Sequence, residues 1–150
     1  MKKKQWIKIS LIFCIAFGML IYASCKEEKE DTPQETSNSV NMKFNGAVWN
    51  TMITTGSQNS NSISVGSFTD AGTQAESFFL QFKKSSISQG GTFNESVLEN
   101  YQIQHLGNNY TVVSASFTVN VLTASRFEAV YTMVLSGGAT ISEGVIKVNI

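Results

Sequence analysis

Few residues in this chain could do chemistry, and they are scattered. His105 is the sole histidine among 150 residues. An imidazole-centred metal site would therefore draw its other ligands from Asp70, Glu76, Glu95, Glu99, Glu128 or Glu143, and none has ligand-like spacing to it. A solvent-facing strand or loop histidine beside Leu106-Gly107-Asn108-Asn109 is the expectation. Glu95 and Glu99 could act as the acid and base of a glycosidase if the fold set their carboxyls roughly 5–10 Å apart; a solvated loop edge is the simpler reading. Serines and threonines are plentiful, but a hydroxyl nucleophile needs a base and an orienting group, and no motif marks His105 as that base. Gly90-Gly91 lacks the Lys-Ser/Thr and the helix of a phosphate loop and reads as a turn. No catalytic set, metal site or cofactor is expected.

Trp49 divides the binding readings. An exposed Trp or Tyr gives a sugar ring an apolar platform, and Tyr101 and Tyr110, with the amides of Asn108 and Asn109, would complete such a surface. Buried, Trp49 would instead anchor the core against its own hairpin.

The cysteines belong to the N-terminal region. Lys2, Lys3, Lys4 and Lys8 precede an apolar stretch from Ile9 to Tyr22, then Ala23-Ser24-Cys25. The stretch suits the roughly 7–15 residue core of an export signal and falls short of the roughly 20 residues of a spanning helix. Ala23-Ser24-Cys25 resembles the lipobox of bacterial lipoproteins, with Tyr22 where many carry Leu. The resemblance implies that the Cys25 thiol takes a diacylglyceryl group, that cleavage makes Cys25 the first residue, and that its new amine is acylated. An ordinary secretory peptide cut near Ala23 or Ser24 is the alternative. Each buried CH₂ contributes about 0.8 kcal/mol, and two or more chains hold a protein stably on a bilayer.

After Cys25 the chain is charged and polar as far as Ser39 and holds the only proline, Pro33. Such a segment cannot bury enough apolar surface to order itself and reads as a tether. Lys26-Glu27-Glu28 resembles the lysine-plus-acidic-pair signal that sends many Bacteroidetes lipoproteins to the outward face of the outer membrane. From Cys25 onward seven basic residues face all eleven acids. That net acidity gives no footprint for nucleic acid. With Cys14 removed and Cys25 acylated, no thiol is left for a disulfide.

The elements that must position everything else are strands. Asn45-Gly46 between Met42-Lys43-Phe44 and Ala47-Val48-Trp49 predicts a type I′ hairpin, because both central residues need positive φ. Ile63–Phe68 and Phe78–Phe82 are strand candidates on either side of Asp70-Ala71-Gly72, with shorter ones at Phe93 and Tyr101-Gln102-Ile103. From Tyr110 to Leu122 the alternation puts Thr111, Val113, Ala115, Phe117, Val119 and Val121 on the inward side. Phe127, Ala129, Tyr131, Met133 and Leu135 repeat it, and Ile146, Val148 and Ile150 close the chain. Three consecutive strands with short connections predict a meander. Helical periodicity is nearly absent. About seven to nine short strands predict an antiparallel β-sandwich, with a closed barrel as the alternative. The organisation expected is a signal peptide at 1–24, a lipidated Cys25 and tether at 25–40, and one β domain at 41–150.

Phe44-Asn45-Gly46 followed by Trp49, short amphipathic strands, and an ending from Ser114-Ala115-Ser116-Phe117 to Gly144-Val145-Ile146-Lys147-Val148 are similar to a family of uncharacterised Bacteroidetes lipoproteins with an all-β domain. The usual Asn and Phe of that family's last motif are missing from Ser142-Glu143-Gly144-Val145-Ile146. The resemblance implies an envelope location and brings no catalytic residues. The expectation is a lipid-anchored domain, facing outward, that binds a glycan or protein ligand without catalysis. An enclosed small-ligand carrier or a hydrolase on a barrel scaffold is the alternative.

Overall fold

The computed structural model describes residues 37–50, 53–69 and 76–150, and Thr36–Ile150 forms one compact unit. Cys25, Lys26, Glu27 and Glu28 lie outside the described residues. The strands are β1 (Ser39–Phe44), β2 (Ala47–Asn50), β3 (Ile53–Gln58), β4 (Ser62–Thr69), β5 (Glu76–Lys83), β6 (Thr92–Asn94), β7 (Leu98–His105), β8 (Asn108–Tyr110), β9 (Val112–Leu122), β10 (Arg126–Leu135) and β11 (Thr140–Asn149). They form two antiparallel sheets, one in the order β2-β1-β11-β10-β9-β6 and the other β3-β4-β5-β7-β8. The sheets pack face to face without closing into a barrel, so the fold is a β-sandwich.

Among the described residues there are eleven strands rather than seven to nine, and the additions are the weakly patterned ones. β3 (Ile-Thr-Thr-Gly-Ser-Gln) has one large apolar residue, so its sequence carries little strand signal. Its position depends on a missing side chain: a Cβ on Gly56 would lie 2.7 Å from Val148 Cβ and closer still to the Asn149 carbonyl. Glycine thus lets this edge strand approach β11 closely. β8 is separated from β7 by a two-residue turn in which Leu106 has φ 49° and Gly107 φ 78°. A leucine at positive φ is sterically disfavoured, which hides the turn from the sequence. Asn45 (φ 49°) and Gly46 (φ 82°) form the predicted hairpin turn between β1 and β2.

Inward side chains fill the space between the sheets. Phe78, Leu80 and Phe82 of β5 with Ile63 and Val65 of β4 meet Phe117, Phe127, Tyr131 and Ile146 of the other sheet. Phe82 lies edge-on to Phe117 at 5.1 Å, and Phe78 stacks on Tyr131 at 5.5 Å. Such pairs add about 0.5–1.5 kcal/mol beyond their burial.

β10 follows its predicted alternation throughout, but β9 does not. Ala115, Phe117 and Val119 sit opposite inward residues of β10. The register then shifts at each end, where Val113 and Asn120 are the extra residues. Val121 therefore pairs with Glu128 on the outer face, and Val113 is 61% exposed. Thr111 falls outside the strand, exposed, with its N–H bound to Ser136 Oγ at 3.1 Å. Each bulge inserts one residue and flips the side of everything beyond it, so the inward assignment of Thr111, Val113 and Val121 is corrected.

Candidate functional site

Trp49, the residue on which the sequence reading turned, points into the sandwich and is 3% exposed. It is the core anchor, and neither face of its indole is open to a ligand. It lies against Phe44 (5.7 Å between centroids), Phe78 (6.1 Å) and His105 (4.8 Å). Tyr110 packs on Phe44 at 5.1 Å. Tyr101, half-buried, sits opposite Leu80 in an inward register of β7 and shares no ring contact with the other two. The structure thus brings Trp49 and Tyr110 to one interior cluster and leaves Tyr101 outside it.

His105 is not the solvent-facing residue expected. Its side chain is 19% exposed, and its ring lies 4.2 Å from that of Phe44. Thr69, Glu76 and His105 occupy the same inward row across β4, β5 and β7. Thr69 pairs with Glu76, and Glu76 and His105 lie one step beyond the Ser77 and Gln104 pair. The Trp49 indole N–H donates to Glu76 Oε2 at 2.8 Å, tying β2 of one sheet to β5 of the other. His105 Nδ1 comes within 3.0 Å of Glu76 Oε1. That contact is not aimed as a hydrogen bond, and the buried nitrogen has no such partner.

A carboxylate beside an imidazole is the orienting part of a hydrolytic triad, which also needs a hydroxyl on the ring. Among the described residues, His105 makes no hydrogen bond to a serine or threonine. Glu95 has a structural task instead: its Oε2 accepts from the Ala115 N–H at 3.2 Å, covering part of the β9 edge that the short β6 leaves open. Glu99 is exposed at the bulge where β7 leaves β5.

The two outer faces of the sandwich differ in charge. The six-stranded sheet carries charge on its outer face, with Lys43 paired to Glu143 at 2.7 Å, Arg126 to Glu128 at 2.9 Å, and Lys147 exposed across from Glu128. Between the two pairs lies an open hollow of about 440 Å³, bordered by Ser116, Thr118, Val130, Thr132, Glu143 and Val145. On the five-stranded sheet the outward registers are uncharged along most of their length. β3 contributes Ile53, Thr55 and Ser57; β4 Ser64, Gly66 and Phe68; β5 Ser77, Phe79 and Gln81; β7 Asn100, Gln102 and Gln104. Among the described residues, charge enters these registers at one end, with Lys83 and Glu99.

Phe68 is 40% exposed there. Its ring leans over Gly66, where a Cβ would lie 3.0 and 3.2 Å from two ring carbons. This face is missed by motif and spacing, although alternation carries its signal. A period of two through Glu76–Lys83 puts Phe79 on the side of Ser77 and Gln81, opposite Phe78, Leu80 and Phe82. Comparison with known proteins finds no match among protein-family models, curated proteins or solved structures.

Proposed function

We propose that this chain is a lipid-anchored envelope protein whose sandwich is a non-enzymatic binding domain, displayed outward from the outer membrane. The observation that carries the binding reading is the outer face of the five-stranded sheet. There two partly exposed apolar side chains, Ile53 and Phe68, lie side by side among amides and hydroxyls, with no charge in the adjoining registers among the described residues. Contiguous apolar surface rimmed by polar groups marks interaction sites, and Ile53 and Phe68 adjoin here. Ala23-Ser24-Cys25 and its leader support the anchor, Lys26-Glu27-Glu28 supports the outward orientation, and the resemblance to Bacteroidetes lipoproteins agrees with both. An enclosed carrier fits less well, because phenyl rings fill the space between the sheets. A hydrolase would use the Glu76 and His105 contact but would still need a hydroxyl on the imidazole.

Cys25→Ala tests the anchor. In the parent bacterium the variant should lose its acyl label and leave the membrane fraction; a label retained at full strength would sink the reading. Replacing Lys26, Glu27 and Glu28 together by alanine should preserve the label and reduce digestion of the domain by protease added to whole cells. Digestion at the parent rate would reduce these three residues to a spacer.

A further inference from the structure

We infer that the outer face of the five-stranded sheet binds an uncharged glycan chain, with Phe68 and Phe79 as the surface on which a sugar ring rests and Ser77, Gln102 and Gln104 as its hydrogen-bond partners. This rests on the binding reading above and names the ligand class of the same face.

Two transverse rows make the site. Phe68 pairs with Ser77, which pairs with Gln104; one step along, Gly66 pairs with Phe79, which pairs with Gln102. Each row thus runs from an apolar or empty position to a carboxamide, and Gln102 and Gln104 stand about 6.8 Å apart on one side of β7. A pyranose presents a C–H face ringed by hydroxyls that donate and accept. Phenyl rings match the first, while carboxamides and hydroxyls, able to do both, match the second. No ionised group in these rows has to be stripped of water when such a ligand settles, which would cost far more than desolvating an amide.

Ser77 supplies an independent observation. It points outward from β5 yet is only 8% exposed, and its Oγ is buried without a hydrogen-bond partner. An unpaired buried hydroxyl is unfavourable, and a ligand hydroxyl lying beside Phe68 would pair it. Covering Gly66 would account for the position of the Phe68 ring. It accounts neither for the ring's exposure nor for the orphaned hydroxyl next to it.

The lack of charge selects among occupants. An acidic polysaccharide would meet no cation in these rows, and a charged protein surface would meet no counter-charge. The test uses the full lipidated protein in detergent, run through gels containing laminarin, dextran, galactomannan or mannan, and through gels containing alginate or heparin. At least one neutral polysaccharide should retard it and the anionic ones should not. Phe68→Ala and Gln104→Ala should each weaken that retardation at least tenfold with the melting temperature unchanged, and Phe68→Tyr should retain it. Thr132→Ala, on the other sheet, should leave it intact.

Retardation by none of the neutral polymers, preference for the anionic ones, or full retardation of Phe68→Ala would overturn the inference. Self-association abolished by Phe68→Arg, without polysaccharide binding, would also overturn it and would leave a protein-binding face standing. If Phe68 and Gln104 variants alter neither property, the binding reading fails as well. The anchor is read separately by fractionation.

Discussion

Tyr131 is buried in the core, and its hydroxyl reaches only a soft acceptor, Met42 Sδ, at 3.4 Å. Burial pushes its phenol well above the ordinary value. The unfolded chain ionises this group near pH 10 and the folded chain does not, so below that pH the stability it confers is fully present. Above it, stability should fall by up to about 1.4 kcal/mol per pH unit. Tyr131→Phe should remove that component, and urea melts of both proteins between pH 9 and 11 would measure it; parallel losses would contradict the assignment. At this scale the sequence told which side of a strand a residue takes, and not what covers that side. Alternation leaves Trp49 open as core anchor or surface platform and points His105 to solvent, whereas β2 folds over the end of β5 and β7 and buries the first against the second. Glu76, far from both in sequence, is the partner that spacing could not supply.

Among the elements, β9 is where pattern and structure part. Its middle was legible because Ala115, Phe117 and Val119 keep the period of two against an equally regular β10. Its ends were not, because a bulge is set by strand pairing and leaves no mark in alternation. Three substitutions separate the two descriptions. Phe117→Ala should cost about 3–5 kcal/mol, since it leaves a cavity among Phe82 and Tyr131. Val113→Ala and Ser116→Ala, both exposed, should each stay within about 0.5 kcal/mol. Denaturant melts decide it, and a Val113→Ala loss comparable to that of Phe117→Ala would restore the unbulged register. β3 and β8 were missed for different reasons. The first relies on Gly56 beside Val148, a tertiary contact, and the second on a leucine in a conformation that leucine seldom adopts.

For the whole molecule, the sandwich and its meander were foreseeable from strand count, turn signals and the scarcity of helical periodicity. The outward face that distinguishes the domain was not, because it emerges only when four strands are set side by side. One feature of the assembled sheet bears on how the domain carries force. β1 is no edge strand: it lies between β2 and β11, bonded to both, and its first residue, Ser39, pairs with Lys147 near the end of the last strand. Ser39 and Phe44 are the two ends of β1, and Phe44 packs against His105 of the five-stranded sheet. Tension that enters before Ser39 and leaves through that end of the five-stranded sheet therefore has a component along the axis of β1. Its lateral hydrogen bonds, perpendicular to that axis, must then fail together. Tension between the two chain termini acts instead at one end of the β1 and β11 ladder and opens it bond by bond. Single-molecule pulling should therefore find a higher rupture force from the N-terminus against a handle on Thr55 than from the N-terminus against Ile150. Equal forces would mean that β1 is not the mechanical clamp. A domain built this way resists shear between its first strand and the five-stranded sheet, the direction in which flow would drag the anchored binding protein proposed above.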